Sequence, residues 1–122
     1  MTNRKPGFAG VLQPLDEAQL RRRKQDLLRR AALVAESGWD QFRYQWSTGE
    51  ILGTALVLND CDELLRFDET PNSALARWAF DLWGIGGGQA DVDAGCPRAR
   101  AWFDFIRGEL AGKPSTPATR EE

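Results

Sequence analysis

Helix-start signals recur along this chain at intervals that leave little room for anything but helices. Asp16 stands three residues before Gln19, and Ser47 three before Glu50. In each pair the first side chain can accept from the backbone amide of the later residue, whose own side chain reaches back to the first residue's amide. Asp60 and Glu63 repeat the spacing. Pro71 follows Thr70 and Pro97 follows Cys96, each proline suited to a first helical position, where no N–H is needed. Stop signals answer them: Gly38, Gly84, and Gly112 with Pro114 beyond it. The signals predict helices over 17–36, 48–58, 61–67, 71–83 and 97–111. The fold class is therefore mainly α, a small single domain of about five helices.

Periodicity within these segments indicates what each helix buries. Leu20, Leu27 and Val34 recur every seven residues, with Ala31 between them and Lys24 as a polar intruder. Leu28 and Ala35 widen that stripe, and Trp39 is placed to touch Val34 beyond Gly38. Segment 71–83 is apolar almost all round, through Leu75, Trp78, Ala79 and Leu82 with Ala76, Phe80 and Trp83 beside them. That makes it the expected central helix. Ala99, Trp102, Phe103, Ile106 and Leu110 give the last helix its buried stripe.

One stretch supports two readings. Phe42-Arg-Tyr-Gln-Trp46 alternates apolar and polar, as a half-buried strand does. A β-hairpin over 42–58, turning at Ser-Thr-Gly-Glu, competes with an aromatic connector leading into helix 48–58. Gly53 weakens the helical reading by about 1 kcal/mol relative to Ala.

The 122 residues are 42% hydrophobic and 28% charged, the balance of a globular chain able to hold its own core. Residues 1–14, with Pro6, Gly7, Gly10 and Pro14, read as an extended N-terminal arm. Phe8, Val11 and Leu12 are the arm residues expected to dock on the body. The helical domain is 15–112, and 113–122 has nothing to bury and reads as a disordered tail. The first residues carry cations but no apolar signal segment, and no apolar run is long enough to span a bilayer. The expectation is a cytoplasmic protein with no membrane partner and with reduced thiols at Cys61 and Cys96. Thirteen Arg against three Lys, with fifteen Ala, suggest a GC-rich coding genome and hence a bacterial or phage source.

Charge is unevenly placed. Residues 1–36 carry a net +4 and residues 37–122 a net −6. The excess sits in "LRRRKQDLLRR", residues 20–30, which holds Arg21, Arg22, Arg23, Lys24, Arg29 and Arg30. These cations fall mainly off the apolar seam, so they are read first as a solvated face. A protein partner comes second and nucleic acid third, because the pI near 5.2 is far from that of a nucleic-acid-binding domain. A helix-turn-helix fails as well, since its recognition helix would begin Asp60-Cys-Asp-Glu and repel phosphate.

The remaining motifs carry little chemistry. There is no histidine, which removes the commonest general base and metal ligand. "GIGGGQ" at 84–89 lacks the glycine and Gly-Lys-Ser/Thr of phosphate loops and follows a helix rather than a strand. It reads as an interhelical loop running to Cys96. Asp91 and Asp93 could face a hard cation, but further ligands are missing, and Asp93 reads as a helper for the last helix. Cys96 lies at the same helix start, where the dipole favours a thiolate, but with no His or resolving partner in view it reads as a small, partly buried residue.

Trp39, Phe42, Tyr44 and Trp46 concentrate aromatics around Arg43, as base-stacking surfaces, protein hot spots and covered cores all do. The sequence reading is a non-catalytic interaction or regulatory accessory protein, with neither cofactor nor metal. Its partner is another protein or a second copy of itself, met by Arg22, Arg23, Arg29, Arg30, Trp39 and Tyr44. A nucleic-acid-binding regulator using helix 17–36 is the first alternative, and an enzyme or metal protein using loop 84–96 the second.

Overall fold

Every expected helix start is occupied in the computed structural model, which describes residues 13–112. Residues 1–12 of the arm and the tail at 113–122 lie outside the described residues. Helix α1, Glu17–Ser37, opens with the full reciprocal cap: Gln19 donates its amide to Asp16 at 2.8 Å, and Asp16 donates its own to Gln19 at 2.9 Å. Gly38 ends it at φ 81°, returning its N–H to the Val34 carbonyl at 2.7 Å. Ser47 and Glu50 cap α2, Thr48–Leu58, in the same way. Asp60 caps α3, Cys61–Arg66, and Thr70 with Ser73 caps α4, Pro71–Asp93. The last helix, α5, is Pro97–Leu110. The chain is thus mainly helical, with five helices and no strand among the described residues.

The hairpin alternative over 42–58 is not formed. Residues 39–46 make successive tight turns, with the amides of Arg43 and Trp46 donating to the carbonyls of Trp39 and Phe42 at 2.9 and 3.1 Å. Phe42 and Trp46 stack at 4.6 Å between ring centroids while Tyr44 points away into solvent. A strand would put all three on one face. The alternation reflects one helix-like turn, in which residues four apart meet.

Two further expectations need correction. The loop placed at 84–96 is largely helical, because α4 continues to Asp93 after a break at Gly84, where φ is 78° and ψ −178°. That break frees the Leu82 carbonyl, which accepts the Leu15 amide at 3.0 Å. Gly88 then lies against the other half of the same helix: a Cβ there would stand 2.7 Å from Phe80 Cα. The glycine run is a corner that folds α4 onto itself, and packing overrides the low helix propensity of glycine. The central helix is α2 rather than α4. All seven residues from Ile51 to Val57 are buried, and α2 touches each of the other four helices.

Leu27 and Ala31 of α1, Leu64 of α3, Leu75, Trp78 and Leu82 of α4, and Ala99, Phe103 and Ile106 of α5 complete one core around α2. Burying each of the larger aliphatic groups contributes about 1.5–3 kcal/mol. Trp78 stacks at 6.1 Å on half-buried Trp102, and both meet Phe103 edge-on. Leu110 and Ala35, expected in the apolar stripes, are exposed.

Candidate functional site

The basic stretch of α1 is mostly the solvated face expected of it, with Arg21, Arg22, Arg23 and Arg29 exposed, but several of its cations pair with carboxylates of this chain. Arg23 donates two bonds in a fork to Asp81 of α4, at 3.0 and 3.2 Å. Arg29 reaches Asp26 at 2.8 Å. Lys24, the intruder in the apolar seam, reaches Glu109 of α5 at 2.7 Å and lies 5.2 Å from the Phe105 ring centre.

Arg30 corrects the sequence reading outright: it is buried, 9% exposed, not on the wet face. It donates to Asp26 at 2.7 Å and to Glu50 at 3.0 Å, and its guanidinium covers the Trp46 ring at 4.7 Å. Burial opposes ionisation of Asp26, yet the bonds from Arg30 and Arg29 outweigh it and hold that carboxyl below its ordinary range. Of the four arginines singled out, Arg22 alone is exposed without an ion pair among the described residues.

The two aromatic candidates part company. Trp39 is half-buried on the core and donates its indole N–H to Asp60 at 2.8 Å, joining the end of α1 to the start of α3. Tyr44 is 90% exposed. Its neighbour Arg43 explains how so exposed a residue is held. Arg43 donates to both oxygens of Glu63, at 2.9 and 3.0 Å, and to Asp40 at 2.8 Å. Glu63 is 2% exposed. The bonds from Glu63, then from Asp40, raise the guanidinium's affinity for its proton well above the usual arginine value. Removing one partner of such a buried pair costs about 3–5 kcal/mol.

The pair clamps turn 39–46 onto α3. Arg66 approaches the same Glu63 at 3.4 Å, and Leu65 beside it is 63% exposed. Tyr44 follows Arg43 in the turn and Leu65 lies two residues after Glu63 in α3, so the two exposed side chains belong to segments joined by this ion pair. Asp40 and Asp62 give this corner an acidic rim. Sequence reasoning found Tyr44 but missed Leu65 and the Arg43–Glu63 clamp. Leu64-Leu65 was the available signal, because a six-residue helix lying on a core buries only one of two adjacent leucines.

Segment 84–96 is built around the start of α5. The side chain of Asp91 accepts the amides of Arg98 and Ala99 at 2.9 and 3.0 Å, and its carbonyl accepts that of Cys96 at 2.7 Å. Asp91 thus performs the role expected of Asp93, which instead accepts from Gln89 at 2.8 Å. Cys96 holds the N-cap position in a left-handed conformation and makes no side-chain cap. Burial, then the nearby Asp91 charge, pushes its thiol upward against a weaker pull from Arg100. The neutral thiol is favoured, opposite to the dipole expectation. Among the described residues no three His, Cys, Asp or Glu side chains converge in a metal-binding group. No described helix is long and apolar enough to cross a membrane. The chain matches no protein-family model, and neither curated proteins nor solved structures give a significant match.

Proposed function

We propose that the protein is a non-catalytic interaction or regulatory protein of the cytoplasm that binds another protein through the corner carrying Tyr44 and Leu65. The observation that carries the reading is a nearly fully exposed tyrosine on a turn fastened by a half-buried, three-bonded arginine to the buried Glu63. Tyrosine offers large amphipathic contact area and few rotors to freeze, which is why it recurs at interface hot spots. A clamped turn has already lost the conformational freedom that binding would otherwise remove. Leu65 adds apolar area, and the carboxylates of Asp40 and Asp62 favour a partner with a basic rim.

The rival nucleic-acid use of α1 has less support, since Arg23, Arg29 and Arg30 each satisfy a carboxylate of this chain. Arg22 remains a secondary contact residue.

The test compares proteins retained from host extract by immobilised parent chain, Tyr44→Ser and Leu65→Ser, each checked for native far-UV circular dichroism. The reading expects a stoichiometric partner that is retained by the parent and reduced at least tenfold with either variant. Equal retention by all three overturns it. If the retained species is the chain itself, sedimentation of the purified protein will show a concentration-dependent dimer lost in the same variants.

A further inference from the structure

We infer that the cleft between α1, the start of α2 and α4 binds a small zwitterion of amino-acid or dipeptide size with an apolar side chain. The inference is independent of the protein-binding corner. The cleft is half open and holds about 340 Å³, within the usual range for small-molecule sites, and its buried lining residues are Leu52 and Trp78.

The hydrogen-bond inventory of its walls selects the ligand. Arg23 spends its Nε and one terminal nitrogen on Asp81, and Arg77 spends a single nitrogen on Glu69. Both guanidiniums line the cleft with N–H groups left over. Ser47 accepts the Glu50 amide through its hydroxyl oxygen, which leaves the hydroxyl proton free to donate. These donors call for an anionic acceptor. A phosphate dianion fits poorly, because drawing Arg23 away would leave the Asp81 carboxylate unpaired beside it, while Asp26 and Glu50 are already paired with Arg29 and Arg30. A monoanionic carboxylate that brings its own cation suits both sets of charges.

The fork between Arg23 and Asp81 supplies the means of entry. Its side chains are 44% and 43% exposed, and ion pairs this wet contribute only about 0–1 kcal/mol. A zwitterion can part them at little cost, its carboxylate taking the arginine and its ammonium the aspartate. The apolar side chain then covers Leu52 and the rim of Trp78, whose indole N–H is held by the Gly49 carbonyl at 3.0 Å.

The experiment follows the Trp78 indole resonance, assigned with Trp78→Phe, in ¹H–¹⁵N spectra of the full chain. Three probes are titrated to about 10 mM, a range that detects millimolar binding. They are L-phenylalanine, its amide lacking the carboxylate, and N-acetyl-L-phenylalanine lacking the cation. The expected result is a saturable shift with L-phenylalanine and at least tenfold weaker binding of each single-charge probe. Arg77→Gln should weaken L-phenylalanine binding by a similar factor and leave the far-UV spectrum unchanged. No saturable shift, or equal binding of all three probes, overturns the inference. Since the comparison among probes uses only the parent chain, it decides the matter even if the Arg77 variant misfolds.

Discussion

Gly53 is the position at which a single methyl group tests the packing of this fold. On helix propensity alone, Gly53→Ala should stabilise α2 by about 1 kcal/mol. The structure reverses that sign. A Cβ at this position would stand 2.4 Å from Trp78 Cζ2, 2.7 Å from Trp78 Cε2 and 3.0 Å from Leu27 Cδ2. Carbon atoms in favourable contact stay about 3.5–4.0 Å apart, so the indole has to retreat by roughly 1 Å. Three contacts resist that retreat. Its N–H is fastened to Gly49, one face stacks on Trp102, and Phe103 meets it edge-on. Overpacking of this kind costs about 1–3 kcal/mol, and stretching the indole hydrogen bond adds about 1 kcal/mol. After the propensity gain is subtracted, the variant should be less stable by about 1–3 kcal/mol. For a domain of this size each kcal/mol lowers Tm by roughly 4–8 °C. Urea and thermal unfolding monitored by circular dichroism measure the difference. Adding Trp78→Phe supplies the control, because a smaller ring relieves the clash and the double variant should lose less than the two single losses added together. A Gly53→Ala protein as stable as the parent, or more stable, would refute the close approach of α2 to Trp78.

Three other outcomes follow from the same contacts. Asp91→Ala removes the acceptor of two amides at the start of α5, that of Ala99 buried and that of Arg98 partly so, and should cost about 1–3 kcal/mol in urea unfolding. Asp26 has a carboxyl held below its ordinary range. Its contribution to stability is therefore complete above the unfolded carboxylate pKa and is lost as pH falls through the lower folded value. The parent should lose stability in that acid window and Asp26→Asn should lose less, as followed by unfolding at stepped pH. Arg22→Glu combined with Arg29→Glu should leave the fold nearly intact, since both residues are exposed. Parent and double variant alike should bind random duplex DNA no better than a non-specific Kd of about 10⁻⁴–10⁻⁶ M in a salt titration.

The helix starts were legible because capping is local. Asp16, Ser47, Asp60 and Thr70 each do their work within three residues, and the structure places a helix after every one. What failed to read through were the contacts between distant segments. Glycines that look like a loop become a corner only when Gly88 meets Phe80, and Gly53 looks like a weak helix residue until Trp78 lies across it. Arg30 looks like its basic neighbours, yet Glu50, twenty residues on, draws it inward beside Trp46. The candidate corner divides in the same way. Tyr44 was visible as part of an aromatic cluster, while its separation from buried-side Phe42 and Trp46 depends on a turn the alternation did not reveal. The clamp from Arg43 to Glu63 spans two elements and left no local signature.

A photo-crosslinking residue placed at position 44 tests the central claim most directly, with the same residue at position 22 as the exposed control on α1. Irradiated in the host cell, the protein labelled at 44 should form one discrete adduct of fixed mass that depends on Leu65, and the protein labelled at 22 should form weaker adducts or none. A dominant adduct at 22, or none at 44 while the protein is folded and expressed, would contradict the assignment of the Tyr44 corner as the contact surface.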